Sequence, residues 1–238
     1  MGVVGIHEDN HLVIATDTCI SGEGADGGVV KDDGSGQMRK VWSPVPGVLV
    51  GGFSRHGLRA TQVVQAMDWP EPEGGDLGPW LRETVVPSIF ERLEQAGSLV
   101  HLDGIPRGLL LLVGTPSRGL WYVCEDGGVL DPGAHRHHVV GRGQREAGGF
   151  LAGLELAGLW DALSAEDKAC SALAAAAQSH PAVAYEVEIH TLTPSGSALE
   201  RRPLAALTPL RRHDGTVARW GLLEPTAVND DLVAAMAG

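Results

Sequence analysis

Residues 1–22 have the sequence MGVVGIHEDNHLVIATDTCISG, in which two apolar runs flank a polar cluster. The runs are Val3–Ile6 and Leu12–Ala15, and residues 7–11 between them are polar. β-Branched residues on both sides of a turn-forming cluster predict a β-hairpin. The first strand begins at once, so we expect the start of the chain to be held in or beside a sheet. The second strand ends at Asp17, which places a carboxylate at a strand end.

This opening resembles that of proteasome β-type subunits and their bacterial relatives, which are N-terminal-nucleophile (Ntn) hydrolases. The family pattern is a nucleophile, a short strand with a glycine, a hairpin, an apolar strand, Asp-Thr, and a small residue before Gly. The positions that match it without a gap are Gly5, Leu12–Ala15, Asp17, Thr18 and Gly22. Where the family has its catalytic threonine, this sequence has Met1.

The resemblance also assigns a catalytic lysine, which in the family stands just before an apolar residue, a turn and a strand. Lys40 fits this pattern, and Arg39 offers a competing alignment one residue away. Val41, which follows, favours Lys40. The interval between Asp17 and Lys40 is longer than usual, and the Gly/Asp-rich residues 23–39, predicted as a loop or β-excursion, absorb the excess.

Four further site positions follow from the resemblance. Gly51 matches the glycine whose backbone N–H binds the oxyanion, and Cys19 and Ser21 are predicted beside the substrate. Cys19 replaces the usual arginine. Arg142, between two glycines, replaces a serine that supports catalysis in the family.

In the family, the threonine hydroxyl attacks a peptide carbonyl, and the threonine's own α-amine accepts the proton. The lysine ammonium keeps that amine partly neutral by like-charge repulsion, and the aspartate orients the lysine. An α-amine with a pKa near ~8 needs only a modest depression to become a usable base. A thioether cannot attack a carbonyl, and Gly2, which follows Met1, has no side chain. If no nucleophile is present, the alternative interpretation of Asp17 and Lys40 is a structural salt bridge at a strand end.

Three functional hypotheses remain open. The first is a proteasome-like subunit without its nucleophile, which has a structural, regulatory or binding role in a self-assembling ring. The second is an active threonine-type peptidase whose true first residue is masked by the start-site choice. The third, weaker hypothesis is a small-molecule amide hydrolase on the same fold. The resemblance implies no cofactor; it allows a partner ATPase or regulator, and a peptide or protein substrate if the protein is active.

The rest of the chain predicts an αββα sandwich, with two antiparallel sheets between two helix pairs. Predicted helices span residues 55–68, 76–97 (interrupted by Pro87), 144–159 and 165–178, and predicted strands span 47–54, 105–114, 119–125, 137–141 and 183–192. We assign residues 1–192 to the proteasome-like domain and 193–238 to an extension packed on it. The extension is predicted to include a strand at 218–223 and a helix at 229–237.

The composition of the chain disfavours several classes of partner and structure. A net charge of −12 disfavours nucleic acid and anionic membranes as partners. No apolar run reaches the ~18 residues of a membrane span, and the three cysteines are too widely spaced to indicate a disulfide framework. We therefore expect a cytoplasmic protein. His135, His137 and His138 suggest a metal, but no further ligand follows at a suitable spacing, so no metal site is predicted.

Overall fold

The computed structural model of the protein describes residues 2–18, 20–23, 29–32, 39–53, 58–72, 76–131, 133, 136–141, 143–179, 186–203, 207–211 and 217–222. Over these residues the strands are β1 (Gly2–Glu8), β2 (His11–Asp17), β3 (Ile20–Glu23), β4 (Val29–Asp32), β5 (Val41–Trp42), β6 (Leu49–Phe53), β7 (Val100–Leu102), β8 (Ile105–Arg107), β9 (Leu110–Thr115), β10 (Gly119–Val123), β11 (Val129–Leu130), β12 (His137–Gly141), β13 (Glu186–Thr193), β14 (Gly196–Pro203), β15 (Leu207–Arg211) and β16 (Val217–Leu222). The helices are α1 (Leu58–Gln65), α2 (Leu77–Trp80), α3 (Val86–Gln95), α4 (Gln144–Leu156) and α5 (Ala165–Ser179), with a π-helical turn at Leu81–Val85 and a 3-10 turn at Trp160–Ala162.

Most of these strands form two antiparallel, five-stranded sheets. The strand order is β12-β1-β2-β13-β14 in sheet 1 and β11-β10-β9-β6-β5 in sheet 2. The predicted N-terminal hairpin is confirmed, with Val3 opposite Thr16 and Glu8 opposite His11. Because β1 also pairs with β12, neighbours on both sides fix the register of the first strand.

The two sheets pack face to face, and helices cover each outer face. Helices α4 and α5 pack on sheet 1, and the helices from α1 to α3 pack on sheet 2. The apolar layer between the sheets consists of Val3, Leu12, Ile14, Val41, Leu49, Leu110, Leu112, Leu120, Val140 and Leu192. The predicted αββα sandwich is therefore confirmed. None of the described helices is both long and apolar enough to span a membrane.

The continuous apolar runs of the sequence arise because the central strands are buried on both faces. In β2, Val13 and Ala15 face the helices, whereas Leu12 and Ile14 face the other sheet. This alternation follows from the pleat of a strand, whose successive side chains point to opposite faces. The run Leu12–Ala15 therefore has no polar position, as expected for a strand inside a sandwich.

The helical segment before β7 is less regular than predicted. The Asp76 side chain accepts a hydrogen bond from the Gly78 nitrogen at 3.0 Å, which confirms Asp76 as the N-cap. α2 then passes through the π-helical turn into α3, with Pro87 in the first turn of α3. Proline lacks an N–H, and its ring clashes with the carbonyl four residues earlier. The wider π turn before Pro87 accommodates the interruption, which the sequence predicts as a kink or a late helix start.

One stretch predicted as a single strand is divided into two strands. The predicted strand at 105–114 comprises β8, which pairs with β7, and the core strand β9. Asp103 and Gly104 connect β7 to β8 with φ values of 53° and 76°, and these positive values define a tight hairpin turn. The Asp-Gly pair is a hairpin signal that the single-strand prediction did not use.

The chain after residue 192 continues sheet 1. β14 pairs with β13 over its whole length, from Thr193 opposite Gly196 to Glu186 opposite Pro203. The predicted strand at 218–223 corresponds to β16, which pairs with β15, and β3 pairs with β4 in the predicted excursion. The predicted helix at 229–237 lies outside the described residues, and the domain boundary at residue 192 stays a prediction.

Candidate active site

Asp17 and Lys40 are in direct contact where the two sheets meet. Asp17 is the last residue of β2 in sheet 1, and Lys40 directly precedes β5 in sheet 2. The Lys40 Nζ atom lies 3.0 Å from Asp17 Oδ1 and donates a 2.6 Å hydrogen bond to the Asp17 carbonyl oxygen. The exposed fractions of the two side chains are 3% for Lys40 and 0% for Asp17. These two contacts hold the ammonium group at one end of β2.

The structure brings Lys40 to Asp17, and Arg39 lies elsewhere. Arg39 is exposed, and its carbonyl oxygen accepts a hydrogen bond from the Gln65 side chain. The Gly52 N–H donates a 2.8 Å hydrogen bond to the Lys40 carbonyl oxygen and thereby ties Lys40 to β6. Lys40 is thus the residue whose side chain contacts Asp17, and its catalytic role stays a prediction.

The start of β1 lies against the same pair. The Gly2 N–H donates a 2.8 Å hydrogen bond to Asp17 Oδ1. The Gly2 carbonyl oxygen accepts a 3.0 Å hydrogen bond from Thr16 Oγ1. Because residue 1 is bonded to the Gly2 nitrogen, it joins the chain beside the Asp17–Lys40 pair.

Gly51 lies close to these residues, and its place in the sheet bears on the predicted oxyanion role. The Gly52–Lys40 hydrogen bond makes Val41 and Gly51 a non-hydrogen-bonded pair of β5 and β6. The Gly51 N–H therefore points toward β9, where Gly51 lies opposite Leu112. This geometry does not favour an oxyanion-binding N–H at Gly51, and that role stays a prediction without support.

Instead, Gly51 allows the sheets to approach each other. A Cβ atom on Gly51 would lie 2.5 Å from Ile14 Cγ2 and 2.8 Å from Val3 Cγ1, closer than real contacts permit. Gly5 on β1 is similar, because its Cβ would lie 2.6 Å from Leu120 Cδ2. The two glycines thus have packing reasons to lack side chains.

The remaining predicted site positions are not tested. Met1, Cys19 and Arg142 lie outside the described residues, and of Ser21 only the backbone in β3 is described. Gly141 lies opposite Gly2 in the β12–β1 pair, so β12 ends beside the start of β1. The roles of these four positions stay predictions.

A second buried lysine, which the sequence analysis missed, lies at the opposite end of β1. Lys168 of α5 is 1% exposed, and its Nζ contacts the two carboxylate oxygens of Glu8 at 2.7 and 2.8 Å. Trp160 completes the cluster, because its Nε1 donates to Glu8 Oε2 at 2.8 Å and the Lys168 Nζ lies 4.5 Å from its ring centroid. A lysine among buried alanines in a predicted helix was the available signal. The two buried lysines thus hold opposite ends of the same hairpin.

The histidines and cysteines contribute no alternative site among the described residues. His137 stacks on Trp160 and His138 on Tyr122, on the two faces of β12, while His135 is not described. No group of three or more metal-ligating side chains occurs in the part of the chain that is described. Burial raises the pKa of the Cys170 thiol to about 11, which leaves it a poor nucleophile at neutral pH.

The fold of the chain is similar to that of solved proteasome-like Ntn-hydrolase structures. BPH of Thiobacillus denitrificans, in complex with epoxomicin, matches with a TM-score of 0.63 and 20% identity, over 81% of this chain and 98% of that one. BPH without that ligand gives 0.63 and 21% over the same shares. Eukaryotic HslV from Trypanosoma brucei gives 0.54 and 12%, over 81% and 99%.

These likenesses confirm the predicted resemblance at the level of the fold. Both BPH and HslV are proteasome-like Ntn hydrolases. No family model matches the sequence, and a search of curated proteins finds no match. The activity of the chain therefore has to be argued from its own residues.

Proposed function

We propose that the protein is a proteasome-like subunit that retains the aspartate and lysine of an Ntn-hydrolase centre but lacks the nucleophile. The observation that carries the proposal is the Asp17 carboxylate, which contacts both Lys40 Nζ and the Gly2 N–H. Residue 1 is the position attached to that nitrogen, and it is a methionine. The centre is thus built around a residue that cannot attack a carbonyl.

The retained groups do not replace the missing nucleophile. Asp17 holds the Lys40 ammonium, and that ammonium can depress the pKa of a neighbouring amine by like-charge repulsion. Lys40 Nζ is occupied as a donor to Asp17, and the Asp17 carboxylate accepts from both Lys40 and the Gly2 N–H, so we assign neither group the role of nucleophile. Loss of a nucleophile from a concerted site costs about 10⁶-fold in kcat in the subtilisin example. We therefore infer that the chain as written does not turn over peptides.

One observation favours the alternative of an active enzyme. Burying a lysine and an aspartate carries a large desolvation cost, and such a pair is retained here beside position 1. If the mature protein carries Thr, Ser or Cys at this position, the same residues form a peptidase centre. The identity of the mature first residue separates the two functions.

We also propose that the protein self-associates into a ring-type oligomer in the cytoplasm and works there as a structural, regulatory or binding member. The support is the shared fold, since HslV and BPH, which have this fold, form ring oligomers. An ATPase or other regulator is the kind of partner this implies, and a peptide or protein is the substrate class if the site is active.

A gain-of-function experiment tests the proposed centre. The Met1→Thr variant is produced behind a leader whose removal leaves Thr as the first residue, and epoxomicin, the ligand in the BPH structure, is the probe. Intact mass spectrometry should find no adduct on the parent protein with Met1 and a stoichiometric adduct on the Met1→Thr variant. An adduct on the chain as written would contradict the missing nucleophile. A folded Met1→Thr variant without an adduct would contradict a competent Asp17–Lys40 centre.

Lysine variants in the Met1→Thr background provide the matched control. Lys40→Met should slow adduct formation by about 10²-fold or more, as expected for loss of acid–base support. Lys168→Met removes the other buried lysine of the same hairpin and should leave the rate within a few-fold. Equal effects of the two substitutions would indicate that the Lys40 effect is only structural.

A further inference from the structure

We propose that Thr16 is a positioning residue, whose hydroxyl fixes the backbone that carries residue 1 against the Asp17–Lys40 pair. The inference rests on the proposed function, because it concerns the same centre. Thr16 is absent from the residues that the resemblance assigns, and the structure alone singles it out. Its hydroxyl is buried with the site, as the residue is 1% exposed.

The hydroxyl of Thr16 lies between two carbonyl oxygens of the centre. Thr16 Oγ1 is 3.0 Å from the Gly2 carbonyl oxygen and 3.2 Å from the Asp17 carbonyl oxygen. The second oxygen also accepts the 2.6 Å hydrogen bond from Lys40 Nζ. Thr16 is therefore part of one connected network with Gly2, Asp17 and Lys40.

The network compensates for the end of the strand pairing. The β1–β2 register ends at Val3 opposite Thr16, so Gly2 has no paired residue in β2. Buried backbone groups need partners, and two consecutive side chains of β2 provide them. Asp17 accepts from the Gly2 N–H, and Thr16 donates to the Gly2 carbonyl.

Together with the pairing of Gly2 and Gly141, the two contacts restrain the backbone that leads to residue 1. The Gly2 N–H lies in the peptide plane that links residues 1 and 2, and the Gly2 carbonyl lies in the plane that links residues 2 and 3. Fixing both planes fixes φ and ψ of Gly2. Glycine has the widest range of backbone angles, so loss of the Thr16 contact removes one of the restraints on the Gly2 backbone that leads to residue 1. A shift of about 1 Å in a reacting group can cost about 10²-fold in rate.

The test compares Thr16→Val, which keeps the shape and loses the hydroxyl, with Thr16→Ser, which keeps the hydroxyl. In the Met1→Thr background, Thr16→Val should slow epoxomicin adduct formation by about 10- to 100-fold, between about pH 6 and 9. Thr16→Ser should restore the rate to within about threefold of the parent. The proposal is overturned if Thr16→Val reacts as fast as the parent, or if Thr16→Ser is as slow as Thr16→Val.

A second readout keeps this inference separate from the proposed function, whose own failure is an unreactive Met1→Thr parent. Amide hydrogen exchange of Gly2 is measured by NMR in protein whose intact mass shows that Met1 is retained, with Leu112 in β9 as the reference amide. Thr16→Val should accelerate exchange at Gly2 and leave Leu112 unchanged, and Thr16→Ser should restore protection. Unchanged exchange at Gly2 in Thr16→Val would overturn the positioning role, whatever the reactivity of the parent.

Discussion

Lys40 and Asp17 are both buried, and an unpaired charge at this site would lower the free energy of unfolding. Replacing Lys40 by Met leaves a fully buried carboxylate without its cation, so we expect the free energy of unfolding to fall by about 3–5 kcal/mol. Urea unfolding measures this loss. The control is Arg136→Met, which breaks an exposed pair with Asp161 at 3.5 Å and should change stability by less than about 1 kcal/mol. Equal losses of stability in the two variants would contradict a stabilising role of the buried Asp17–Lys40 pair.

Gly51 provides a second test at the level of one residue. Gly51→Ala places a methyl group against Ile14 and Val3 between the sheets, and we expect a loss of about 1–3 kcal/mol. Gly148, within α4, has open space around its Cα, so Gly148→Ala should stabilise the protein by about 0.5–1 kcal/mol. Thermal unfolding of both variants should give shifts of opposite sign. A neutral Gly51→Ala would show that the sheets do not approach as closely as described.

At this scale the sequence predicts the residues whose roles depend on local register. Asp17 ends an apolar strand, and Lys40 precedes a hydrophobic residue, so both could be matched to the family pattern by the resemblance. Thr16 could not, because its role depends on where the β1–β2 pairing ends. Lys168 could not, because its partner Glu8 is distant in the chain and only the packing of α5 on β1 brings them together.

Among the secondary-structure elements, the first turn of α5 makes side-chain contacts to three strands of sheet 1. Three consecutive residues of this turn contact different strands: Glu166 pairs with His11 of β2, Asp167 with Arg202 of β14, and Lys168 with Glu8 of β1. The helix is therefore held across sheet 1 by charged side chains, in addition to its alanine-rich apolar face.

Replacement of Lys168 tests this anchoring. Lys168→Met should lower the free energy of unfolding by about 3 kcal/mol, because Glu8 is left without its ammonium partner in a mostly buried site. Chemical denaturation measures the effect, and Lys168→Arg is the control that keeps the charge. A stability close to that of the parent in Lys168→Met would show that the apolar face alone holds α5.

The boundaries of secondary-structure elements were predictable where apolar residues recur at a clear period. They were not predictable at a proline within a helix or at a tight turn beside a long apolar run. The periods identify β1, β2, α4 and α5 from their apolar positions. The π-helical turn before Pro87 was not predictable, because the sequence shows where regular hydrogen bonding fails but not how the chain adapts. The β7–β8 hairpin was missed because its Asp-Gly turn lies beside a longer apolar run.

For the whole molecule, the layer order follows from strands that are apolar on both faces and helices that are apolar on one.

Assembly is a separate property, and we expect a homo-oligomer of defined mass at micromolar concentration. Light scattering coupled to size-exclusion chromatography measures it. A single monomeric peak of about the chain mass of 24.9 kDa would contradict the proposed ring.

The account depends most directly on which residue occupies position 1 of the protein in its native source. The measurement is intact mass and N-terminal sequencing of that protein after incubation with epoxomicin. We predict Met1 or Gly2 at the N-terminus and no adduct. A Thr, Ser or Cys terminus with a stoichiometric adduct would contradict the missing nucleophile and make Asp17 and Lys40 parts of an active peptidase.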